Sequence, residues 1–162
     1  MRFAGRVFKS GRYWAIEVPI LGVTTQGRTR KEAFQMIADA IETLVNKDSF
    51  KLNVFYGESE YFEVGANDQA VLTAFLLRRE RTRSGLSLAE VAKRLGVRSL
   101  NAYARYEQGR SVPTVPKLTA LLAAVASHKD FVLAESRMAR TEGRSRRTGK
   151  RGYAPDTEKT GL

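Results

Sequence analysis

The sequence predicts an α+β protein: a small β-β-β-α-β domain over residues 1–66, an all-α domain over 67–135 and a flexible basic tail over 136–162. Three observations lead there. In the first 66 residues, β-branched and aromatic side chains alternate with polar ones at period two, interrupted by one stretch of helical spacing. After residue 68 that richness falls and short helical patterns take over, each closed by glycine or proline. From Ser136 onward Gly, Ser, Thr and Arg dominate, with eight Lys/Arg against three Asp/Glu and the run GRSRRTGKRG at 143–152. That composition buries too little apolar surface to order itself.

In order along the chain, Arg2–Phe8 and Arg12–Val18 read as two strands joined near Ser10-Gly11. The second sets Trp14, Ile16 and Val18 on one face and Tyr13, Ala15 and Glu17 on the other, and Pro19 closes it. Leu21–Thr25 reads as a third strand ended by Gly27. Thr29-Arg30-Lys31-Glu32 is a capping box: the threonine oxygen can accept from the Glu32 N–H while the glutamate reaches back. Ala33, Phe34, Ile37, Ala40, Ile41, Leu44 and Val45 then follow at helical spacing. Lys51–Tyr56 and Tyr61–Val64 flank a hairpin at Gly57-Glu58, leaving room for one strand beyond the basic pattern, and Gly65-Ala66-Asn67-Asp68 reads as the domain boundary. One long helix fits Gln69–Arg83, with Leu72, Phe75 and Leu76 inward and Ser84-Gly85 as its stop. Ser87-Leu88-Ala89-Glu90 opens a short helix that stops at Gly96, another runs from Ser99 to Gln108, and Pro113 and Pro116 bracket the start of a last one, Val115–Ser127.

Composition limits the function classes. Hydrophobic residues make up 43% of the 162, enough for a packed core, and the absence of cysteine excludes disulfides and thiolate metal sites. The opening MRFAGRV lacks the apolar run of a signal peptide, and no stretch approaches a membrane span, so a cytoplasmic protein with no membrane partner is expected. The net charge of +11 points to an anionic partner, nucleic acid first. Residues 1–66 carry nine Lys/Arg against eight Asp/Glu, whereas 67–162 carry nineteen against nine, so the excess belongs to the second part and the near-neutral first part has another task.

The segment Leu88–Gln108, LAEVAKRLGVRSLNAYARYEQ, meets the demands of two short helices crossing around a tight turn. Ala92 is small where the helices meet, Gly96 accepts the positive φ of the turn, and Val91, Leu95, Val97, Tyr103 and Tyr106 fall inward. Through GLSLAEVAKRLGV, AYARYEQGRSVPT and LLAAV, residues 76–125 resemble the Xre/Cro/repressor-like helix-turn-helix family. The resemblance implies that the second helix of the motif enters the DNA major groove, with Asn101, Ala102 and Arg105 presented to base edges; Asn can pair with adenine and Arg with guanine. Arg98, Ser99, Arg110 and Ser111 on the flanking loops then hold phosphates. It also matches Glu107 and Arg81 to an intramolecular ion pair between helices. Two departures stand out. Leu88 occupies a position where the family commonly has glutamine, and nine residues rather than eight separate Gly96-Val97 from Glu107, which leaves the register of Asn101 open by one residue. Repressors of this class bind half-sites as dimers, so a homodimer or higher oligomer is expected, with Leu118, Leu122 and Val125 shared between core and interface.

The strand pair VFKSGRYWAIEVP, the segment TQGRTRKEAFQMIADAIE and the domain order ending in NAYARYEQG resemble the HicB antitoxins of type II toxin–antitoxin pairs. This resemblance implies a partial RNase H-like fold without catalytic activity. It implies as partner a small basic HicA-like toxin of double-stranded-RNA-binding fold that cleaves mRNA, with operator DNA bound by the second domain to repress the shared operon. Glu17, Glu32, Asp39, Glu42, Glu58, Glu60 and Glu63 place acids in the part that would meet such a toxin, although no residue is assigned to its contact; the looser Pro19-Ile20-Leu21-Gly22 replaces the frequent Pro-Gly pair. A stand-alone transcriptional regulator with an N-terminal sensing or oligomerisation domain is the alternative. Enzyme chemistry finds little support. A two-metal nuclease needs converging carboxylates, and only Glu17 and Glu63 on strands and Asp39 with Glu42 on the helix are available. The single histidine, His128, has no evident partner for base or metal chemistry, and there is no phosphate-cradling glycine loop, so no catalytic residue, metal or cofactor is expected.

Overall fold

The computed structural model describes residues 1–57 and 59–137. Five strands form one antiparallel sheet: β1 (Phe3–Ser10), β2 (Tyr13–Val18), β3 (Val23–Gly27), β4 (Leu52–Tyr56) and β5 (Tyr61–Ala66), in the spatial order β3-β2-β1-β5-β4. Helix α1 (Arg30–Val45) connects β3 to β4, and four helices follow the sheet: α2 (Gln69–Arg83), α3 (Leu88–Arg94), α4 (Leu100–Glu107) and α5 (Val115–Val125). The protein is α+β, with one strand more than the basic β-β-β-α-β pattern.

Alternation places Val7, Ile16, Val18, Phe62 and Val64 on the buried face of the sheet, against Ala33, Phe34, Ile37, Ile41 and Val45 of α1. Phe34 stacks on Tyr56 with ring centroids 4.7 Å apart and meets Phe62 edge-on at 5.4 Å. Strand β3 lies so close to the first turn of α1 that a Cβ on Gly27 would sit 2.4 Å from the Ala33 nitrogen. Glu32 N–H donates to Thr29 Oγ1 at 3.1 Å, but the Glu32 carboxylate accepts from Arg28 N–H at 2.7 Å, one residue before the cap. Leu44, expected on the buried stripe, is exposed.

The third strand starts two residues later than its pattern suggests. Pro19–Leu21 winds a 3₁₀ turn, closed by Gly22 N–H on the Pro19 carbonyl at 2.9 Å. Proline's fixed φ suits the first position of such a turn, and the turn, not a pleat, carries Leu21 into the core. At the other end, Gly65 and Ala66 pair with Asn53 and Leu52 inside β5, so only Asn67 and Asp68 separate the sheet from α2. Asp68 caps that helix by accepting from Val71 N–H at 3.1 Å.

Helix α2 is buried nearly all round in its first two turns: Val71, Leu72, Thr73, Ala74, Phe75, Leu76 and Leu77 are all buried. Such a helix belongs inside, and α2 lies between the sheet and the later helices. One contiguous apolar cluster consequently runs from Phe3 and Val7 through α2 to Leu121 and Val125. The arginines in the second half of α2 reach the first unit. Arg79 donates to the carbonyls of Leu21 and Gly22 at 2.9 and 2.8 Å, Arg78 to that of Leu44 at 2.9 Å, and Arg83 to that of Pro19 at 3.4 Å. Part of the basic excess read from the sequence is therefore spent inside the molecule.

The chain beyond α5 does not leave at once. Ser136 and Arg137, expected to begin the tail, instead bond Glu63 on the sheet: the Ser136 hydroxyl lies 2.8 and 2.7 Å from the two carboxylate oxygens, and Arg137 N–H donates at 3.2 Å. The rest of the expected tail, 138–162, lies outside the described residues, as does Glu58 of the expected hairpin.

Candidate nucleic-acid interface

Helices α2, α3 and α4 end by the same device. Gly85, Gly96 and Gly109 follow their caps with φ of +67°, +68° and +67°. In each case two backbone bonds close the end: Gly96 N–H to Lys93 O and Val97 N–H to Ala92 O, both 3.1 Å, are the pair after α3. This double closure is the Schellman motif, in which a left-handed residue returns the last N–H groups to orphan carbonyls. The start of α3 is equally defined. Glu90 N–H donates to Ser87 Oγ at 3.2 Å and Ser87 N–H donates to Glu90 Oε2 at 2.7 Å, which holds the Glu90 carboxyl below its ordinary range. Ala92 is buried where α3 and α4 cross, and the four-residue turn Gly96–Ser99 delivers α4 to the surface.

Helix α4 has two unlike faces. Inward lie Tyr103, 1% exposed, and the Glu107 carboxylate. Glu107 accepts two parallel bonds from Arg81, Nε to Oε1 at 2.7 Å and Nη2 to Oε2 at 3.0 Å, while Arg81 Nη1 donates to Leu86 O at 2.8 Å. The Tyr103 hydroxyl donates to the same carboxylate. Burial, reinforced by that carboxylate, pushes the Tyr103 phenol well above its usual range, so it stays a donor, and Glu107 raises the Arg81 guanidinium in turn. The bidentate geometry fixes the rotation of α4 against α2.

That rotation turns Asn101, Ala104, Arg105 and Gln108 outward, where with Arg110 they line a shallow polar recess of about 450 Å³. The structure thus brings Asn101 and Arg105 together and adds Arg110, which the sequence placed among phosphate contacts. Ala102 is exposed beside the recess but does not line it. Arg98 and Ser99 are exposed just before α4, and Ser111 is half-buried after it. Among the described residues, no hydrogen bond or ion pair engages the side chains of Asn101, Arg105, Gln108 or Arg110. Gln108 and Ala104 escaped sequence reasoning; their signal was the i, i+3, i+4 and i+7 spacing from Asn101. Leu100, 49% exposed, heads the same helix. Donors and acceptors left open on an exposed helix, beside cations at both ends, suit base edges and phosphates.

Leu122 and Val125 are buried in the monomer, while Leu118 is half-buried. Among the described residues, no helix is long and apolar enough to cross a membrane, and no three His, Asp or Glu side chains group to hold a metal.

A protein-family model described as a helix-turn-helix domain matches residues 74–130. That span begins inside α2 and ends just after α5, so it contains all three Schellman ends and the Arg81–Glu107 pair. Residues 74–130 thus form a helix-turn-helix domain, which supports DNA binding, and an antiparallel five-stranded sheet lies ahead of it in the chain. Comparison with curated proteins gave no match.

Proposed function

We propose that the protein is a HicB-like antitoxin that neutralises a small basic, mRNA-cleaving toxin through its sheet domain and represses its own operon through α4. The observation that supports the reading most is the face of the sheet opposite α1. Helix α1 covers one face only, and the opposite face presents Phe8, Tyr13, Glu17, Phe55, Tyr61 and Glu63 across four of the five strands. An acid-bearing aromatic surface fused without a linker to a DNA-reading helix suits a protein that captures a basic partner and reports on it at a promoter. In this reading the sheet unit is a partial RNase H-like fold that has lost catalysis, the chain acts in the cytoplasm without metal or cofactor, and it binds its operator as a homodimer. Of the seven acids named above, Glu32 and Glu42 serve the fold: Glu32 caps α1, and Glu42 accepts from Leu52 N–H at 2.8 Å and from Lys51 at 2.9 Å. Glu58 lies outside the described residues, Glu63 is held by Ser136, Arg137 and Arg2, and Glu17, Asp39 and Glu60 remain for the partner.

The reading expects a short basic reading frame adjacent to this gene, and co-expression with it tests the proposal. Co-purification of the two products, with relief of growth arrest, is the expected result. A chain that neither retains such a product nor relieves toxicity contradicts it and favours the stand-alone regulator, for which the arginines joining α2 to the 19–22 turn offer a route from sheet to DNA.

A further inference from the structure

Apart from Glu107 in its fork with Arg81, two buried carboxylates, Glu80 and Glu63, are answered by the same short segment after α5. Glu80 of α2 is fully buried, and Lys129 Nζ donates to it at 2.7 Å beside Arg83 at 3.0 Å. Glu63, on β5 next to the edge strand β4, is 8% exposed and takes Ser136 and Arg137 as described above, with Arg2 Nη1 at 3.4 Å. A buried carboxylate needs partners of this kind. The neighbouring aromatic rings of the face are each capped by an arginine: Phe55 by Arg2 at 3.6 Å, Phe8 by Arg6 at 5.5 Å and Tyr61 by Arg137 at 5.2 Å. The first two caps come from within or beside β1, next to the rings they cover. The third comes from a segment without helix or strand, 73 residues away from Glu63 at Ser136.

We propose that Glu63 and Tyr61 form a docking site for an arginine-bearing extended segment of a protein partner, occupied in the free molecule by the chain's own Ser136-Arg137. The site supplies what such a segment needs: a carboxylate that accepts a hydroxyl and a backbone N–H, and a ring for the guanidinium. The cis segment is the pattern of the ligand, and a basic partner enters by taking its place. This deepens the proposed toxin-binding function by naming the part of the face that engages and the chemistry it accepts.

The test uses the full chain and a fluorescent peptide copying residues 129–137. The double substitution S136A/R137A vacates the site, so this variant binds the peptide about tenfold more tightly than the wild type, whose own segment competes. Adding Glu63→Gln abolishes that binding, and a peptide with alanine at both positions does not bind. Thermal melts run in parallel establish that each variant is folded. If Glu63→Gln fails to fold, Tyr61→Ala, at a half-exposed ring, takes its place and weakens the peptide in the same way. Equal affinity for wild type and double variant, absence of binding to either, or binding indifferent to Glu63 and Tyr61 overturns the proposal. The assay contains no toxin, so its failure is separate from a failure of the co-expression experiment.

Discussion

Two surfaces of this molecule carry polar side chains suited to a partner, and they differ first in whether those side chains are already engaged. On the outward face of α4 and the turn after it, Asn101, Arg105, Gln108 and Arg110 stand without a hydrogen bond or ion pair among the described residues. On the open face of the sheet, Glu63, Arg2 and Arg137 are already joined to one another or to neighbouring rings. The contrast teaches how each surface can bind. An exposed helix with open donors needs only a ligand that supplies acceptors, and DNA does so at no cost in internal bonds. A site whose charge is satisfied, as at Glu63, gives up existing contacts before it accepts new ones, so its binding is an exchange. Rigidity differs too: α4 is held by the Arg81–Glu107 fork, whereas the segment on Glu63 is held by a few side-chain contacts.

Breaking that fork gives the largest effect. Glu107→Ala leaves Arg81 and Tyr103 without their acceptor in a largely buried place, and a loss of about 3–5 kcal/mol of folding stability is expected, read as a fall in chemical denaturation midpoint. If Glu107→Ala kept its stability and altered DNA affinity alone, the two faces of α4 would have been assigned the wrong way round. Arg105→Ala works in the opposite sense. It changes stability by no more than about 0.5 kcal/mol, since no hydrogen bond or ion pair among the described residues holds the exposed side chain, and weakens specific DNA by about 1–3 kcal/mol. Ser87→Ala removes the α3 cap and costs about 1 kcal/mol in a thermal melt, with base preference unchanged. The smallest effect is in acid. The carboxyls of Asp68, Glu42 and Glu90 are held below their ordinary values of 3.8, 4.5 and 4.5, chiefly by backbone N–H donors. Their lowered folded-state pKa means that their contribution is present above those values and is lost as pH falls below about 4. The melting temperature accordingly declines between about pH 5 and pH 3, less steeply in Asp68→Asn, and a flat profile would show that the caps contribute nothing through charge.

The α4 surface was more legible in the sequence than the sheet surface, for a physical reason. Helix ends are set by neighbours in the chain. Ser87 with Glu90 and the glycines at 85, 96 and 109 specify caps within a few residues, and the apolar spacing of Val91, Ala92 and Tyr103 follows from them. The third strand was displaced because Pro19 starts a tight turn whose stability comes from distant groups, Arg79 and Arg83 of α2. Glu80 reads in sequence as one more charge near a helix end, yet it is fully buried because Lys129, 49 residues on, reaches it. The clasp on Glu63 was hidden for the same reason: Ser136 and Arg137 have the composition of a tail, and only the returning path of the chain gives them a partner.

The account rests on α4 reading bases with the side chains that the fork turns outward. The most direct measurement takes a duplex selected from a random pool by the full chain, together with its single-base variants, and compares the affinities of wild type and Arg105→Ala at one fixed salt concentration. The predicted result is that the substitution removes discrimination at one base pair and leaves the others as they were. A uniform loss across all variants would make Arg105 a phosphate contact and would contradict the placement of α4 in the groove.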